Sequence, residues 1–397
     1  MNEKVSIIIP VFNGSNYMRD AIDSALNQSY KNCEVIVIND GSNDGGETER
    51  IAKSYGDKIR YYSKENGGVA TAVNMGIELM TGEYFAWLSH DDMFTSDKIE
   101  KQMSAIHESG IENAICHGNF DFLYVEDNKR VKVNFLEQYE KKQLETSCFA
   151  PVFTAIHGST LLIHKSHFER VGNYDETLKT TQDSEFLFRV MRNQKSVFVE
   201  DSLIISRVHK EQGQKTMKCH KAEFNDIFIY FCEQLSDNEK IEFCGSIENF
   251  YYKLYTLLKS AKPSDEIISY LRNKISGLKR SKNDKDDKLL SELGEVCIFG
   301  AGQMGGESYE MLNQYGIDIN CYIDNNSEKW GSYKNNKIVN SPEYLTNNVN
   351  LQVIISVMDP TEIKSQLEKM NIKKFLTFGD IKKRLWYTLP QKINFGE

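Results

Sequence analysis

Four consecutive residues near position 90 have the side chains for metal or phosphate chemistry. The apolar run FAWL is followed directly by Ser89, His90 and two adjacent carboxylates, Asp91 and Asp92. Neighbouring carboxylates repel each other at neutral pH unless a cation or good solvation offsets the repulsion. The stretch therefore predicts one wall of a polar site, in which something cationic or well solvated faces the two carboxylates.

The elements that would position these residues alternate between strand and helix. Apolar runs at 5–12, 33–40, 58–64 and 83–89 predict strands, and helical periodicity lies between them. Such alternation is typical of an α/β fold with a parallel sheet covered on both faces, in which ligands bind beyond the carboxyl ends of the strands. The polar residues at those ends are Asn13, Asp40, Asn66, Asp91 and Asp92.

Composition limits the classes of function. The 397 residues exceed one ordinary domain, and 40% hydrophobic residues suffice for two or three cores. A net charge of −9 argues against a general attraction to nucleic acid or anionic lipid. The eight cysteines stand singly, which favours reduced thiols in a cytoplasm. No apolar run approaches the roughly 20 residues of a transmembrane segment, so we expect a cytoplasmic protein, with peripheral association at the inner face of the membrane left open.

Five motifs follow one another along the first half of the chain. They are PVFN (10–13), NDGS (39–42), NGG with AVNMG (66–76), the DD of SHDD, and GNYDETLKTTQDSEFLFRV (172–190). In order and approximate spacing they resemble the family 2 inverting glycosyltransferases with a GT-A fold, over roughly residues 1–215. The resemblance implies transfer of a sugar, with inversion, from a nucleoside-diphosphate donor such as a UDP-sugar to a glycan or lipid-linked acceptor in cell-surface polysaccharide biosynthesis.

The resemblance also implies which residues hold the donor. Asp40 would accept a hydrogen bond from the nucleobase, and Phe12 would pack on it. The structural alternatives are an Asx turn before Gly41 for Asp40, and core packing for Pro10 and Phe12. The expected donor-binding residues are Pro10, Val11, Phe12, Asn13, Asp40, Asn66, Asn74 and Ser89.

Asp91 matches the last Asp of the family's Asp-x-Asp metal motif. The resemblance thus implies Mg2+ or Mn2+ bridging Asp91 to the diphosphate. The first Asp of that motif is Ser89 here, which removes one charge from the site. His209, in RVHKEQGQK, is a further candidate ligand. For Asp92, metal ligation and N-capping of the segment that follows are equally open alternatives.

Asp183, in TTQDSEF, aligns with the family's catalytic Asp. A carboxylate suits a general base that deprotonates a sugar hydroxyl, and modest burial would raise its pKa toward physiological pH. The alternative is that Asp183 and Glu185 only cap the helix that follows. His157 and Gly158 stand where the family lines its acceptor pocket.

A glycine motif lies in the last hundred residues. Gly300, Gly302 and Gly305 have G-x-G-x-x-G spacing between a predicted strand and helix, and Asp324 follows about 20 residues later. This context predicts a small Rossmann-like domain that binds a nucleotide. The expected organisation is a GT-A domain over 1–215, a helical connector and charged linker over 216–290, and the Rossmann-like domain over 291–385.

Three other functions compete with a transferase. A non-catalytic nucleotide-sugar sensor would account for Ser89 as decay of the metal site, but it has no need of a base at Asp183. An oxidoreductase could use Tyr333 and Lys337, which form Y-x-x-x-K, but they lie in a polar, loop-like stretch. A sugar nucleotidyltransferase requires a Gly-rich phosphate loop with an activating Arg or Lys near the N-terminus, and none is visible in the sequence.

Overall fold

The structure, a computed structural model, describes residues 3–260, 265–276 and 293–387. The chain divides into two compact units. The first consists of Met1–Leu136, Glu140–Leu235 and Lys262–Ile267, and the second of Glu137–Tyr139, Ser236–Ala261 and Ile268–Glu397. The main division thus falls at Leu235, inside the stretch predicted as a helical connector.

The first unit is built on a nine-stranded mixed sheet. Its strands are β1 (Val5–Val11), β2 (Cys33–Asp40), β3 (Arg60–Lys64), β4 (Tyr84–Trp87), β5 (Met93–Phe94), β6 (Ile115–Tyr124), β7 (Lys129–Val133), β8 (Leu162–His164) and β9 (Ser196–Val208). Their order across the sheet is β3-β2-β1-β4-β8-β6-β9-β5, with β7 paired to β6. The first four strands in this order are parallel, whereas β8 pairs with β4 in the antiparallel direction.

Helices alternate with the first four strands as the sequence predicts. The helices of this unit are α1 (Met18–Leu26), α2 (Glu47–Lys53), α3 (Val69–Leu79), α4 (Lys98–Ser109), α5 (Lys141–Leu144), α6 (Phe149–Val152), α7 (Ser166–Val171), α8 (Gln182–Met191), α9 (Gly213–Thr216) and α10 (His220–Gln234). Every residue of β1 is buried, as expected for a strand covered on both faces. The predicted α/β class is therefore confirmed.

The second unit contains a smaller, six-stranded sheet. The remaining helices among the described residues are α11 (Asp237–Cys244), α12 (Ile247–Ser260), α13 (Asp265–Ser276), α14 (Gln303–Gln314), α15 (Thr361–Lys369) and α16 (Phe378–Arg384). The strands are β10 (Val296–Phe299), β11 (Ile319–Ile323), β12 (Tyr333–Lys334), β13 (Lys337–Asn340), β14 (Gln352–Ile355) and β15 (Phe375–Thr377). Their order is β12-β13-β11-β10-β14-β15, and all neighbours are parallel except the hairpin of β12 and β13.

The glycine motif forms the tight turn between β10 and α14. Gly300 has a φ of 114°, a conformation open almost only to glycine. A Cβ on Gly305 would lie 1.9 Å from the carbonyl oxygen of Gly300, so the helix packs directly on the turn. A Cβ on Gly302 would have no atom within 4 Å. The first and last glycines are thus required by the fold itself.

None of the helices among the described residues combines the length and the apolar character that a membrane crossing requires.

Candidate active site

The loops that follow β1 and β2 are joined at the carboxyl edge of the sheet. The backbone N–H of Asn13 donates to Oγ of Ser42 at 2.8 Å. Nδ2 of Asn13 donates to Oδ1 of Asn43, and Oδ1 of Asn13 accepts from the backbone N–H of Asn43, both at 2.8 Å. These three bonds hold Asn13 in its left-handed conformation, with a φ of 51°. The two loops therefore form one rigid rim.

The predicted donor-binding residues at this edge of the sheet differ in accessibility. Pro10 and Val11 are buried within β1, so their side chains belong to the core and do not face a ligand. Phe12 is 42% exposed, and Asn66 is exposed in the loop after β3. Ser89 is half-buried just beyond β4. Core packing, the structural alternative, thus applies to Pro10 and not to Phe12.

Asp40 holds the loop between β3 and α3. Its Oδ1 accepts from Nζ of Lys64 at 2.8 Å and from the backbone N–H of Gly67 at 3.0 Å, and its Oδ2 accepts from the N–H of Gly68 at 2.8 Å. The side-chain bond that closes the turn around Gly41 is made by Asn39 to the N–H of Ser42, so the Asx-turn alternative for Asp40 is wrong. Asp40 is buried, and its carboxylate is committed to the loop.

Asn74 performs a task other than the predicted donor binding. It is buried in α3, and its Nδ2 donates to the carbonyl oxygen of Tyr174 and to Oε1 of Glu176, both at 2.9 Å. Its Oδ1 accepts from the N–H of Tyr174 at 3.0 Å. Both hydrogens of the amide are therefore used within the protein. Asn74 fixes the segment that leads to Asp183.

The structure brings Asp91 and His209 together, although 118 positions separate them in the sequence. Nε2 of His209 lies 3.0 Å from Oδ2 of Asp91, and the two side chains are only 11% and 17% exposed. In the described part of the chain, Nδ1 of His209 is buried and has no hydrogen-bond partner. The imidazole is thus held to the carboxylate through one nitrogen.

Asp92 is buried and is bonded to the backbone of β9. Its Oδ1 accepts from the backbone N–H of Arg207 at 3.0 Å. Burial raises the pKa of Asp92 well above its ordinary value, and the neighbouring charge of Asp91 adds to the rise, whereas the Arg207 amide opposes it. The predicted N-cap role is wrong, because α4 begins at Lys98 with Asp97 as its N-cap. Burial and the bond to the Arg207 amide also make this carboxyl a poorer candidate for a metal ligand than Asp91.

Arg207 was not predicted from the sequence. Its Nη1 donates to the carbonyl oxygen of Asp91 at 2.8 Å, and Nη2 bonds Oδ2 of Asp20. This buried guanidinium supplies part of the positive charge that two adjacent carboxylates require. The only sequence signal for it was its position two residues before His209, in the motif RVHKEQGQK.

Asp183 and Asp92 approach neighbouring residues of one short segment. Nε2 of His157 lies 4.0 Å from Oδ2 of Asp92. A Cβ on Gly158 would lie 3.5 Å from Oδ2 of Asp183 and 3.3 Å from the indole of Trp87, so a larger side chain would crowd the carboxylate. Residues 157 and 158 therefore connect the proposed base to the turn at the end of β4.

Asp183 lies in the first turn of α8, where its Oδ1 accepts from the N–H of Ser184 at 2.8 Å. Burial raises the pKa of Asp183, and the Ser184 amide partly offsets the rise. The turn before α8 is held by Glu223 of α10, whose carboxylate accepts from the backbone N–H groups of Lys179 and Thr180. The N-cap of α8 is Thr181, and no side chain makes a capping hydrogen bond there, so the capping alternative for Asp183 is wrong. The bond from Ser184 uses only Oδ1 of Asp183.

The side chains at this edge can bind a divalent cation only if a substrate supplies the remaining ligands of the metal. The described residues contain no group of three or more His, Cys, Asp or Glu side chains that could hold a metal ion alone. Asp91 and His209 offer one carboxylate and one imidazole. Mg2+ commonly binds through one or two carboxylates together with substrate phosphates and water. The two residues therefore fit a cation that arrives with a diphosphate.

In the second unit, Asp324 supports the glycine turn. Its Oδ2 accepts from the N–H of Ala301 and from Nζ of Lys329, at 2.8 and 2.9 Å. Lys334 reaches the same turn, where Nζ donates to the carbonyl oxygen of Gly302 at 2.6 Å. A cation beside the first turn of a helix opposes the helix dipole, so an anion bound there would be favoured.

Comparison with known proteins identifies the first unit. Residues 6–172 match the family model described as glycosyl transferase family 2. The uncharacterized glycosyltransferase RP339 of Rickettsia prowazekii (strain Madrid E) is 43% identical over 255 residues, which cover 64% of this chain and 80% of that protein. The chain belongs to glycosyltransferase family 2. The GT-A type of α/β fold predicted for the first unit of this glycosyltransferase is confirmed.

Three further similarities of the glycosyltransferase concern a longer relative, a solved structure and the last hundred residues. The uncharacterized glycosyltransferase RC0461 of Rickettsia conorii (strain ATCC VR-613 / Malish 7) is 43% identical over 259 residues, which cover 65% of this chain and only 43% of that protein. A structure of S. aureus TarS 1–349 in complex with UDP-GlcNAc has 15% identity and a TM-score of 0.49, and covers 68% of this chain and 88% of that one. Residues 293–375 match the family model described as C2185-like, N-terminal.

The environment of Asp92 predicts opposite effects of two substitutions on stability. Asp92→Asn keeps an oxygen that accepts from the Arg207 amide and removes a carboxyl whose charged form burial disfavours, so we expect stability equal to the wild type or higher. Asp92→Ala leaves that buried amide unpaired, at a cost of about 1–3 kcal/mol. Thermal unfolding at neutral pH measures both. An equal loss in the two variants would mean that the fold requires the charge itself.

Proposed function

We propose that this glycosyltransferase moves a sugar from a UDP-sugar to a glycan or lipid-linked acceptor, with inversion, in cell-surface polysaccharide biosynthesis. The observation that carries the proposal is the environment of Asp183. Its carboxylate is half-buried at the first turn of α8, has a raised pKa, and keeps Oδ2 next to Gly158, which has no side chain to crowd it. These are the properties that a general base in sugar transfer needs.

Asp183 acts as the base of a single displacement. An acceptor hydroxyl donates its hydrogen bond to Oδ2, and its oxygen attacks the anomeric carbon as the bond to the diphosphate oxygen breaks. The proton passes to Asp183, and the nucleoside diphosphate departs. Because one carboxylate serves the reaction and no covalent intermediate forms, the anomeric configuration inverts. The bonds from Ser184 and Glu223 support this role, because they hold the carboxylate in one orientation.

The departing diphosphate lies at Asp91 and His209 in this proposal. These two residues would hold Mg2+ or Mn2+, which supplies charge stabilisation to the leaving group when bound. Phe12, Asn66 and Ser89 contact the nucleoside and its ribose. Asp40 serves the donor through the loop it holds, since its three bonds set the position of the loop that carries Asn66. The reaction takes place in the cytoplasm, and a lipid-linked acceptor is reached at the inner face of the membrane.

The role of Asp183 predicts a loss of turnover without loss of donor binding. We expect Asp183→Asn to lower kcat by about 10²- to 10⁴-fold while the donor still binds. In the wild type, kcat/KM falls as the pH drops through the raised pKa of Asp183, since the base must be deprotonated. The fall therefore occurs at a higher pH than for an ordinary aspartate.

Asp175→Asn is the matched control for this experiment. Asp175 is an exposed carboxylate on the segment that leads to α8, and its Oδ1 accepts from Thr177. We expect its substitution to leave kcat unchanged. Full turnover by Asp183→Asn would refute the base. A wild-type protein that binds UDP-sugars but never transfers them would support the sensor alternative.

The metal assignment predicts a difference between two adjacent aspartates. UDP with Mn2+ should stabilise the wild type, by about 2.7 kcal/mol at a ligand concentration 100 times the dissociation constant. Asp91→Asn should lose the part of this stabilisation that depends on Mn2+, whereas Asp92→Asn should keep it, because Asp92 faces the Arg207 amide. Thermal shifts with UDP alone and with UDP plus Mn2+ separate the two parts. Identical shifts in both variants would contradict the assignment.

We infer that the second unit is a Rossmann-like nucleotide-binding domain with a docking or sensing role. The spacing of Gly300, Gly302 and Gly305, the N-terminus of α14 and the ammonium of Lys334 support a phosphate at this turn. Asp324 would select among ligands, because a carboxylate at this strand end accepts from ribose hydroxyls and repels a 2′-phosphate. Catalysis does not depend on this unit, since the proposed reacting groups all precede residue 215.

Hydrogen exchange on the whole chain tests this inference at peptide resolution. UDP-sugars or NAD should slow exchange of the peptide that covers Gly300 to Gly306, and NADP should do so less. Lys334→Ala should weaken the protection without changing turnover. No protection by any of these ligands would leave the unit a structural or docking domain, and hydride transfer with NAD would favour the oxidoreductase alternative.

A further inference from the structure

One buried residue ties the loop after β9 to the turn that carries Asp91 and Asp92. Arg207 is only 5% exposed. Its backbone N–H donates to Oδ1 of Asp92 at 3.0 Å, and its Nη1 donates to the carbonyl oxygen of Asp91 at 2.8 Å. Arg207 thus holds the turn through the backbone of Asp91 and through the side chain of Asp92. Neither residue can shift without breaking a bond to Arg207.

The same guanidinium is fixed from the side of α1. Its Nη2 bonds Oδ2 of Asp20, and its central carbon lies 4.8 Å from the ring centroid of Tyr17. The ring of Tyr17 also faces the imidazole of His209, with centroids 5.1 Å apart and planes tilted by 49°. Tyr17 therefore lies against both the arginine that holds Asp91 and the histidine that faces Asp91. Cation–π and ring contacts of this kind are favourable when desolvated.

Gln212 closes the loop around His209. Its Nε2 donates to the carbonyl oxygen of Arg207 at 2.7 Å, and its Oε1 lies 3.4 Å from the backbone N–H of His209. The backbone on both sides of Val208 is therefore held by one side chain. The position of the imidazole is set by Tyr17 and by this loop, and not by β9 alone.

From these contacts we propose that Arg207 and Tyr17 are positioning residues, which hold Asp91 and His209 together for a divalent cation and its diphosphate. The proposal rests on the function proposed above. A site with only two protein ligands depends strongly on how well they are arranged beforehand, because each ligand that must be ordered on binding lowers the affinity. Arginine suits the task because its rigid, planar fork fixes the directions of its bonds to a carbonyl and a carboxylate, whereas an ammonium is a point charge on a flexible stem.

Arg60 provides a matched control at the opposite edge of the same sheet. Its Nη1 donates to Oε2 of Glu34 and to the carbonyl oxygen of Leu79, both at 2.8 Å. Its guanidinium carbon lies 5.7 Å from the ring centroid of Tyr62. Arg60 thus makes the same three kinds of contact as Arg207, with an acid, a carbonyl and a tyrosine ring, but on β3 and without any bond to Asp91.

The test compares Arg207→Lys with Arg60→Lys, and Tyr17→Leu with Tyr17→Phe. Calorimetry or electron paramagnetic resonance gives the Mn2+ dissociation constant in the presence of UDP. We expect Arg207→Lys and Tyr17→Leu to weaken Mn2+ binding by about 10- to 100-fold, the range for residues that orient metal ligands. Tyr17→Phe keeps the ring and should rescue the affinity, and Arg60→Lys should leave it unchanged. In steady-state kinetics the donor KM should rise more than kcat falls.

Hydrogen exchange without metal separates this proposal from the proposed function. Arg207→Lys should speed exchange in peptides covering 89–92 and 207–212, and Arg60→Lys should not. Wild-type Mn2+ affinity in Arg207→Lys and Tyr17→Leu, or equal weakening by Arg60→Lys, would overturn the positioning role, as would unchanged exchange in both peptides. Absence of Mn2+ binding by the wild type would overturn the metal part of the proposed function and the positioning role toward a cation with it, even if exchange shows that Arg207 holds the turn.

Discussion

The need to accommodate two adjacent carboxylates at the end of β4 governs the rest of this site. The protein separates them by environment. Asp92 is buried, which raises its pKa, and accepts from a backbone amide, so it anchors the turn. Asp91 stays partly exposed beside His209. Arg207 bonds both residues, and its guanidinium contributes positive charge. Without this division the two carboxylates would repel each other, and the turn could not hold one of them ready for a cation.

The carboxylate proposed as the base is fixed by a separate set of contacts. Asn74 of α3 clamps the backbone at Tyr174, and Glu223 of α10 clamps the turn before α8. Both clamps join segments that are distant in sequence, so the position of Asp183 depends on the folding of the whole unit. The two sets of contacts meet at His157 and Gly158, which approach Asp92 and Asp183 respectively. The proposed diphosphate site and the proposed base thus rest on different contacts, and the segment of residues 157 and 158 approaches both.

Local patterns sufficed for part of this structure. The strands from β1 to β4, the helices between them and the glycine turn of the second unit follow from periodicity and spacing. The long strands β6 and β9 were not predicted, because polar residues such as Asn119 and Asp121 interrupt the apolar pattern. In the structure these two side chains form hydrogen bonds between β6 and β9. Arg207, the structural role of Asn74 and the buried state of Asp92 were missed for a related reason. Each depends on partners about 100 positions away, which no local pattern reveals.

The claim that one carboxylate drives a single displacement has a direct stereochemical consequence. The most direct measurement is proton NMR of the product formed by the whole chain from a panel of UDP-sugars, with Mn2+ and an oligosaccharide acceptor. The account predicts a new glycosidic linkage whose anomeric configuration is opposite to that of the donor. A product that retains the donor configuration would contradict it.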